Sequence, residues 1–353
     1  MYRRRKVNVE EKPPIPDHLE DFGYVLKENG EVRSITQDLP YEFDYLPKDR
    51  SYNEERYDKF INIIGDIVED RLQKAPYNFR KVIVPIGADP AKDIHSYIYM
   101  TPNALTTTDK LMIMIPGNNT RIGQWSKRVM CDINVQSGSM MQTSEMVLEK
   151  GYEIIILNSN ANFWYNGRAN LTAQTHTGVA ITVPGSETPE EHCQYVFHNF
   201  IRNAKADKVA VLANSWGGYS FALTLNTEFD YIKEHIKAVA MTDSVHIRDM
   251  IKGDKQRTFM FENCYNWSAS TDKKGSLVPD VRLGCPNISS GEEIADYTLP
   301  TMLKYIMNFI FVKMGDIEWG SDDENDDMDG GVEVLTEEDM AELSRIEILS
   351  SNV

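Results

Sequence analysis

Short apolar runs recur along the middle of this chain, and their spacing restricts it to few architectures. They are Leu111-Met-Ile-Met-Ile115, Glu153-Ile-Ile-Ile-Leu157, Val209-Ala-Val-Leu212, Ala238-Val-Ala-Met241 and Thr258-Phe-Met-Phe261, and helical stretches separate most of them. A strand apolar at every position is buried on both faces, the mark of a mostly parallel sheet with helices on both sides. Helices are predicted near residues 142–150, 188–205, 217–226 and 299–312. Upstream, residues 22–35 alternate around Asn29-Gly30, which predicts an N-terminal β-hairpin. Residues 52–74 carry helical periodicity, and 80–85 and 95–100 read as two further strands. The polar stretch 159–184 reads as an insertion loop beside the strand ends.

Within this frame, Val209-Ala-Val-Leu-Ala-Asn-Ser215-Trp-Gly-Gly218 reads as the nucleophile elbow of an α/β-hydrolase. There a serine sits on a sharp turn between a buried strand and a helix. Small residues flank it because strand and helix backbones approach closely, and Ala213, Gly217 and Gly218 meet that need. A strand-to-helix turn that uses serine only as an N-cap would show a similar pattern. A second fragment, Ile115-Pro116-Gly117-Asn-Asn-Thr-Arg121, follows the strand where such hydrolases often carry His-Gly. Gly117 and the Trp216 N–H are the candidate oxyanion donors. Pro116 takes the place of the histidine.

A serine hydroxyl is a weak nucleophile until a base takes its proton. In hydrolases of this fold the acid and then the histidine follow the serine in the chain. Candidate acids are Asp243, in Ala240-Met-Thr-Asp-Ser244, and Asp272, each of which also reads as a solvated loop carboxylate. Only His235 and His246 follow Ser215. His235 approaches a strand from the far edge of the sheet. His246 lies at the correct edge in an unusual element, so it is the candidate base. His192 and His198 share a helix without the i, i+4 spacing of metal ligands and read as satisfied histidines. No P-loop or Gly-x-Gly-x-x-Gly is present, and no cofactor or metal is expected.

The net charge of −17 belongs mainly to one end. Residues 316–353 hold fourteen acids and one base, Arg345, for a net −13, which leaves −4 for residues 1–315. Neither part offers the basic stripe that a phosphate backbone requires, so strong direct nucleic-acid binding is not expected. The division predicted is a basic, disordered stretch over 1–15, one folded domain over 16–315, and an acidic tail over 316–353. The tail starts disordered and has a possible short amphipathic helix over 336–349. No apolar run is long enough for a membrane helix. The four cysteines, Cys131, Cys193, Cys264 and Cys285, show no paired spacing and read as reduced, buried thiols of an intracellular protein.

Phe22-Gly-Tyr, Leu111-Met-Ile-Met-Ile-Pro-Gly, Gly123-Gln-Trp125, Glu190-Glu-His192, Asn214-Ser-Trp-Gly-Gly218, Thr242-Asp-Ser-Val-His246 and Glu262-Asn-Cys-Tyr-Asn-Trp267 together resemble the Arb2 domain family of Argonaute-binding proteins. The resemblance runs from about Pro16 to Val312. It implies an α/β-hydrolase-like fold and Ser215 at the family's nucleophile-like position. It also implies a place in the nucleus and cytoplasm, and work through Argonaute and through chromatin- or spliceosome-associated proteins. On this reading the expected function is a non-catalytic regulator of silencing and splicing. The alternative is an active serine esterase or amidase using Ser215, with Asp243 or Asp272 as acid and His246 as base.

Overall fold

The computed structural model describes residues 12–174 and 178–318. The expected disorder at both ends and the possible helix over 336–349 lie mostly or wholly outside these residues. Two short strands, β1 (Tyr24–Leu26) and β2 (Val32–Ser34), form the N-terminal hairpin. A long helix, α1 (Arg50–Leu72), follows, capped by the Asp49 carboxylate at the Tyr52 amide. Then come β3 (Arg80–Val84), β4 (Ser96–Met100) and β5 (Lys110–Ile115). Three helices, α2 (Lys127–Asp132), α3 (Val135–Gly138) and α4 (Met141–Glu149), lead to β6 (Glu153–Ile156). After a small hairpin, β7 (Phe163–Tyr165) and β8 (Arg168–Asn170), come α5 (Pro189–Asn199) and β9 (Lys208–Asn214). The rest is α6 (Trp216–Thr227), α7 (Phe229–His235), β10 (Ile236–Thr242), α8 (Asp254–Asn263), β11 (Cys264–Ser268), β12 (Asn287–Ser289) and α9 (Ala295–Met314).

Eight of these strands make one sheet in the order β12-β11-β10-β9-β5-β6-β4-β3, and only β4 runs against the others. This is an α/β-hydrolase-like sheet. Alternation along each strand explains why the runs are apolar throughout. Met112 and Met114 of β5 join Ile154, Leu212 and Ala240 in a core beneath α1, α4 and α9. Leu111, Ile113 and Ile115 of the same strand join Val211, Val239 and Met241 beneath α5, α6 and α8. Two cores share one sheet, so neither face of β5 or β9 reaches water.

Two expectations need correction. The run Thr258-Phe-Met-Phe261 lies in helix α8, not in a strand, and the strand begins six residues later, at Cys264. A four-residue apolar run carries no periodicity that separates helix from strand. The stretch 159–184 is not wholly loop, since β7 and β8 pair within it and Trp164 donates its amide to the Ile181 carbonyl.

Candidate functional site at the elbow

Strand β9 ends at Asn214, and Ser215 turns the chain into α6 with φ 48° and ψ −111°. A non-glycine residue held there stores on the order of 1–3 kcal/mol of strain, which the surrounding structure must offset. Backbone contacts hold it. The Ser215 amide donates to the Thr242 carbonyl at 2.7 Å, and the Gly218 amide donates to the Ser215 carbonyl at 3.1 Å.

The two glycines after the serine are required by close approach. A Cβ on Gly217 would sit 2.6 Å from the Ile115 carbonyl oxygen and 2.8 Å from that of Pro116. One on Gly218 would sit 2.1 Å from Ser244 Oγ. The obstacles at Gly217 are backbone atoms that cannot swing away. Gly217→Ala is therefore expected to lower stability by about 1–3 kcal/mol, read as a fall in the urea midpoint at unchanged m-value. An unchanged midpoint would mean that β5 and α6 are not locked together here.

Gly117 lies beside the serine, because a Cβ there would be 3.4 Å from Ser215 Cβ. Its loop is fixed from below by Asn160, a buried side chain whose amide donates to the carbonyls of Gly117 at 2.8 Å and Thr120 at 2.9 Å. Asn160 gave no signal in the sequence beyond the polarity of its surroundings. The Trp216 indole N–H donates to Glu190, which sets the ring at the mouth of the turn. Asn214 Nδ2 donates to the Trp125 carbonyl at 3.2 Å, tying the elbow to the next loop.

The candidate acid and base are brought to the same rim of the sheet, but not into a relay. Asp243 directly follows β10 with φ 46°, one strand over from Ser215, and its Oδ1 accepts from the Ala269 amide at 2.7 Å. Burial pushes its pKa up, the Thr298 hydroxyl and Ala269 amide oppose the rise, and nearby Asp296 adds to it. Asp272 is exposed and accepts from Ser270 Oγ at 2.9 Å. His246 is buried with both ring nitrogens engaged. Nε2 donates to the Leu283 carbonyl at 2.9 Å, which leaves Nδ1 to accept from Ser244 Oγ at 2.7 Å. Burial depresses its pKa to about 4, so the ring is neutral and poorly basic.

Two other described histidines take different positions. His235 ends α7, on the approach to β10. His192 is fully buried, accepts from the Asn158 amide at 3.1 Å through Nε2, and therefore donates from Nδ1 to Ser186 Oγ at 2.8 Å. The first turn of α9 supplies a carboxylate here: Asp296 accepts from Ser126 Oγ at 2.5 Å. Among the described residues, no group of three or more His, Cys, Asp or Glu is placed to hold a metal ion.

The Arb2 domain family matches residues 15–274. The human protein named cotranscriptional regulator ARB2A is 29% identical, over 84% of this chain and 82% of its own length. Its homolog in Dictyostelium discoideum is 22% identical, over 83% and 79%. Among solved structures, the histone deacetylase Clr3 aligns over 75% of this chain and 45% of that one, with a TM-score of 0.45 and 8% identity. Carboxyl esterase 2 of Tuber melanosporum aligns over 72% and 97%, with a TM-score of 0.34 and 11% identity.

Proposed function

This chain belongs to the Arb2 domain family, and from that premise we propose that it is a non-catalytic regulator built on a hydrolase-like scaffold. It acts by binding proteins linked to Argonaute, chromatin or splicing, in the nucleus and the cytoplasm. The name of the human relative, a cotranscriptional regulator, supports the regulatory part. The observation that carries the non-catalytic part is the hydrogen bonding of His246, whose two nitrogens are already committed to Ser244 and Leu283. Ser215 then keeps the shape of a nucleophile, with no base among the described residues hydrogen-bonded to take its proton. Gly117 and the Trp216 amide keep the outline of an oxyanion site. Among the described residues no helix is long and apolar enough to cross a membrane.

A fluorophosphonate probe tests this reading. Wild type and Ser215→Ala are expected to label equally weakly, and neither should hydrolyse a p-nitrophenyl ester above the uncatalysed rate. Labelling of wild type that Ser215→Ala abolishes would establish a serine hydrolase instead. Affinity purification of the full chain with and without residues 316–353 tests the partner arm. Loss of silencing- or splicing-linked proteins on truncation is expected, and an unchanged set would separate the tail from partner choice.

A further inference from the structure

The two outer edges of the eight-stranded sheet are treated differently. The outer edge of β12 is covered, because Ser289 donates to the Ser276 carbonyl at 2.8 Å, and Gly275 and Val278 donate back to β12 at 2.9 and 2.8 Å. The outer edge of β3 pairs with no other strand among the described residues. A bare edge presents a row of unpaired amides and carbonyls to any extended chain within reach. This one carries two cations and no acid, Arg80 and Lys81, ahead of Val82-Ile-Val84. Lys81 turns back toward the Glu69 carboxylate at 3.5 Å. Arg80 is exposed and makes no ion pair among the described residues.

The chain leaves the described residues at the end of the sheet nearer the start of β3. Helix α9 ends at Met314, whose carbonyl accepts from Lys208 Nζ at 2.8 Å. Asp316 is then clamped by Lys110 Nζ and by the Tyr152 hydroxyl, each at 2.5 Å. Lys110 is the first residue of β5, and Tyr152 precedes β6. Because β3 runs parallel to β5 with Arg80 level with Ile113, Arg80 lies three strands across and three residues up from Lys110, or about 18 Å away. Residues 319–331 span up to about 45 Å when extended, ample for the distance. They deliver Asp326, Asp327 and Asp329, then two glycines, and then Val332-Glu-Val-Leu335, a short alternating segment of strand-forming residues.

We propose that the outer edge of β3 is the docking site of the chain's own acidic tail, with residues 332–335 added to the sheet as a ninth strand and the aspartates before them facing Arg80. Main-chain bonds along the edge give the affinity, and the charge pairing chooses this edge over others. A basic partner that captures the tail competes with this contact, so the edge is bare only when the tail is engaged. The proposal does not depend on whether Ser215 is catalytic.

Hydrogen–deuterium exchange on three proteins tests it: the full chain, a chain ending at residue 318, and full-length Val334→Pro. Amides of residues 80–84 are expected to exchange at least tenfold more slowly in the full chain than in the other two. Proline at 334 removes a donor and cannot continue a strand pairing. Equal exchange in all three overturns the proposal and leaves Arg80 and Lys81 as guards of an exposed edge. Protection that survives truncation in a protein sedimenting as a dimer also overturns it, because a second copy then covers the edge.

Discussion

Lowering the pH from 7 to 5 is expected to remove about 4 kcal/mol from the stability of this fold, chiefly through two buried histidines. His192 and His246 are held neutral by burial, which depresses their pKa values from 6.5 to about 3 and about 4. Their unfolded values are ordinary, so below pH 6.5 the unfolded chain binds two protons that the folded chain does not. The stabilising contribution is full above 6.5 and falls by about 1.4 kcal/mol per histidine for each further pH unit, until the folded values are reached. Over the interval from 7 to 5 each histidine then loses about 2 kcal/mol. Asp243, whose pKa is raised in the fold, shifts the balance in the opposite direction as it protonates. Urea unfolding at pH 7, 6 and 5 measures the effect, with an uptake near two protons expected on unfolding at pH 5. A stability independent of pH over this range would show that the two rings are not locked neutral. His246→Gln should flatten the slope by about half, even though it costs stability at pH 7.

The second large effect is expected at Glu69, where Glu69→Ala should cost about 3–5 kcal/mol. This carboxylate is only 5% exposed and accepts from Arg121 Nε at 2.5 Å, Tyr97 at 2.6 Å and Tyr99 at 2.7 Å. Burial works to raise its pKa, but Arg121, the two tyrosines and Lys81 together hold it below the usual range. Removing it strands two phenol hydroxyls and half of a guanidinium in a site that burial has already dried. Asp66 also binds Arg121, at 2.6 Å, but is 72% exposed, so Asp66→Ala is expected to cost under about 1 kcal/mol. Equal costs for the two variants would contradict this account. The network also joins α1 to the Gly117 loop through Arg121. A Glu69→Ala protein that still folds should therefore show faster amide exchange in residues 117–123 than in β5.

Much of this architecture is readable from the chain, and the failures have definite causes. The runs at 111–115, 153–157, 209–212 and 238–241 fall on β5, β6, β9 and β10 because strands buried on both faces leave no polar position to blur the pattern. Strand β12, Asn287-Ile-Ser289, escapes because it is three residues long and only Ile288, which joins the core, is apolar. At the elbow, Gly217 and Gly218 are legible since only glycine fits, and Asp243 is placed on the right rim by its strand. What spacing cannot reveal is where a ring points. His246 stands on that rim too, yet a backbone carbonyl 37 residues further on, at Leu283, fixes its orientation.

Helix α9 has a further meaning as a ruler. Its twenty residues rise about 30 Å, and it bears Asp296 in its first turn while Asp316 lies just past its last. Asp296 holds Ser126 beside the elbow loops, and Asp316 holds Lys110 at the root of the tail. The two rims of the sheet are thereby kept at a fixed separation that no loop motion alters. A partner that grips both the elbow loops and the tail root must bridge that distance, so an extended peptide shorter than about nine residues engages only one of them. Longer partners gain avidity from a spacing that is already set before they arrive.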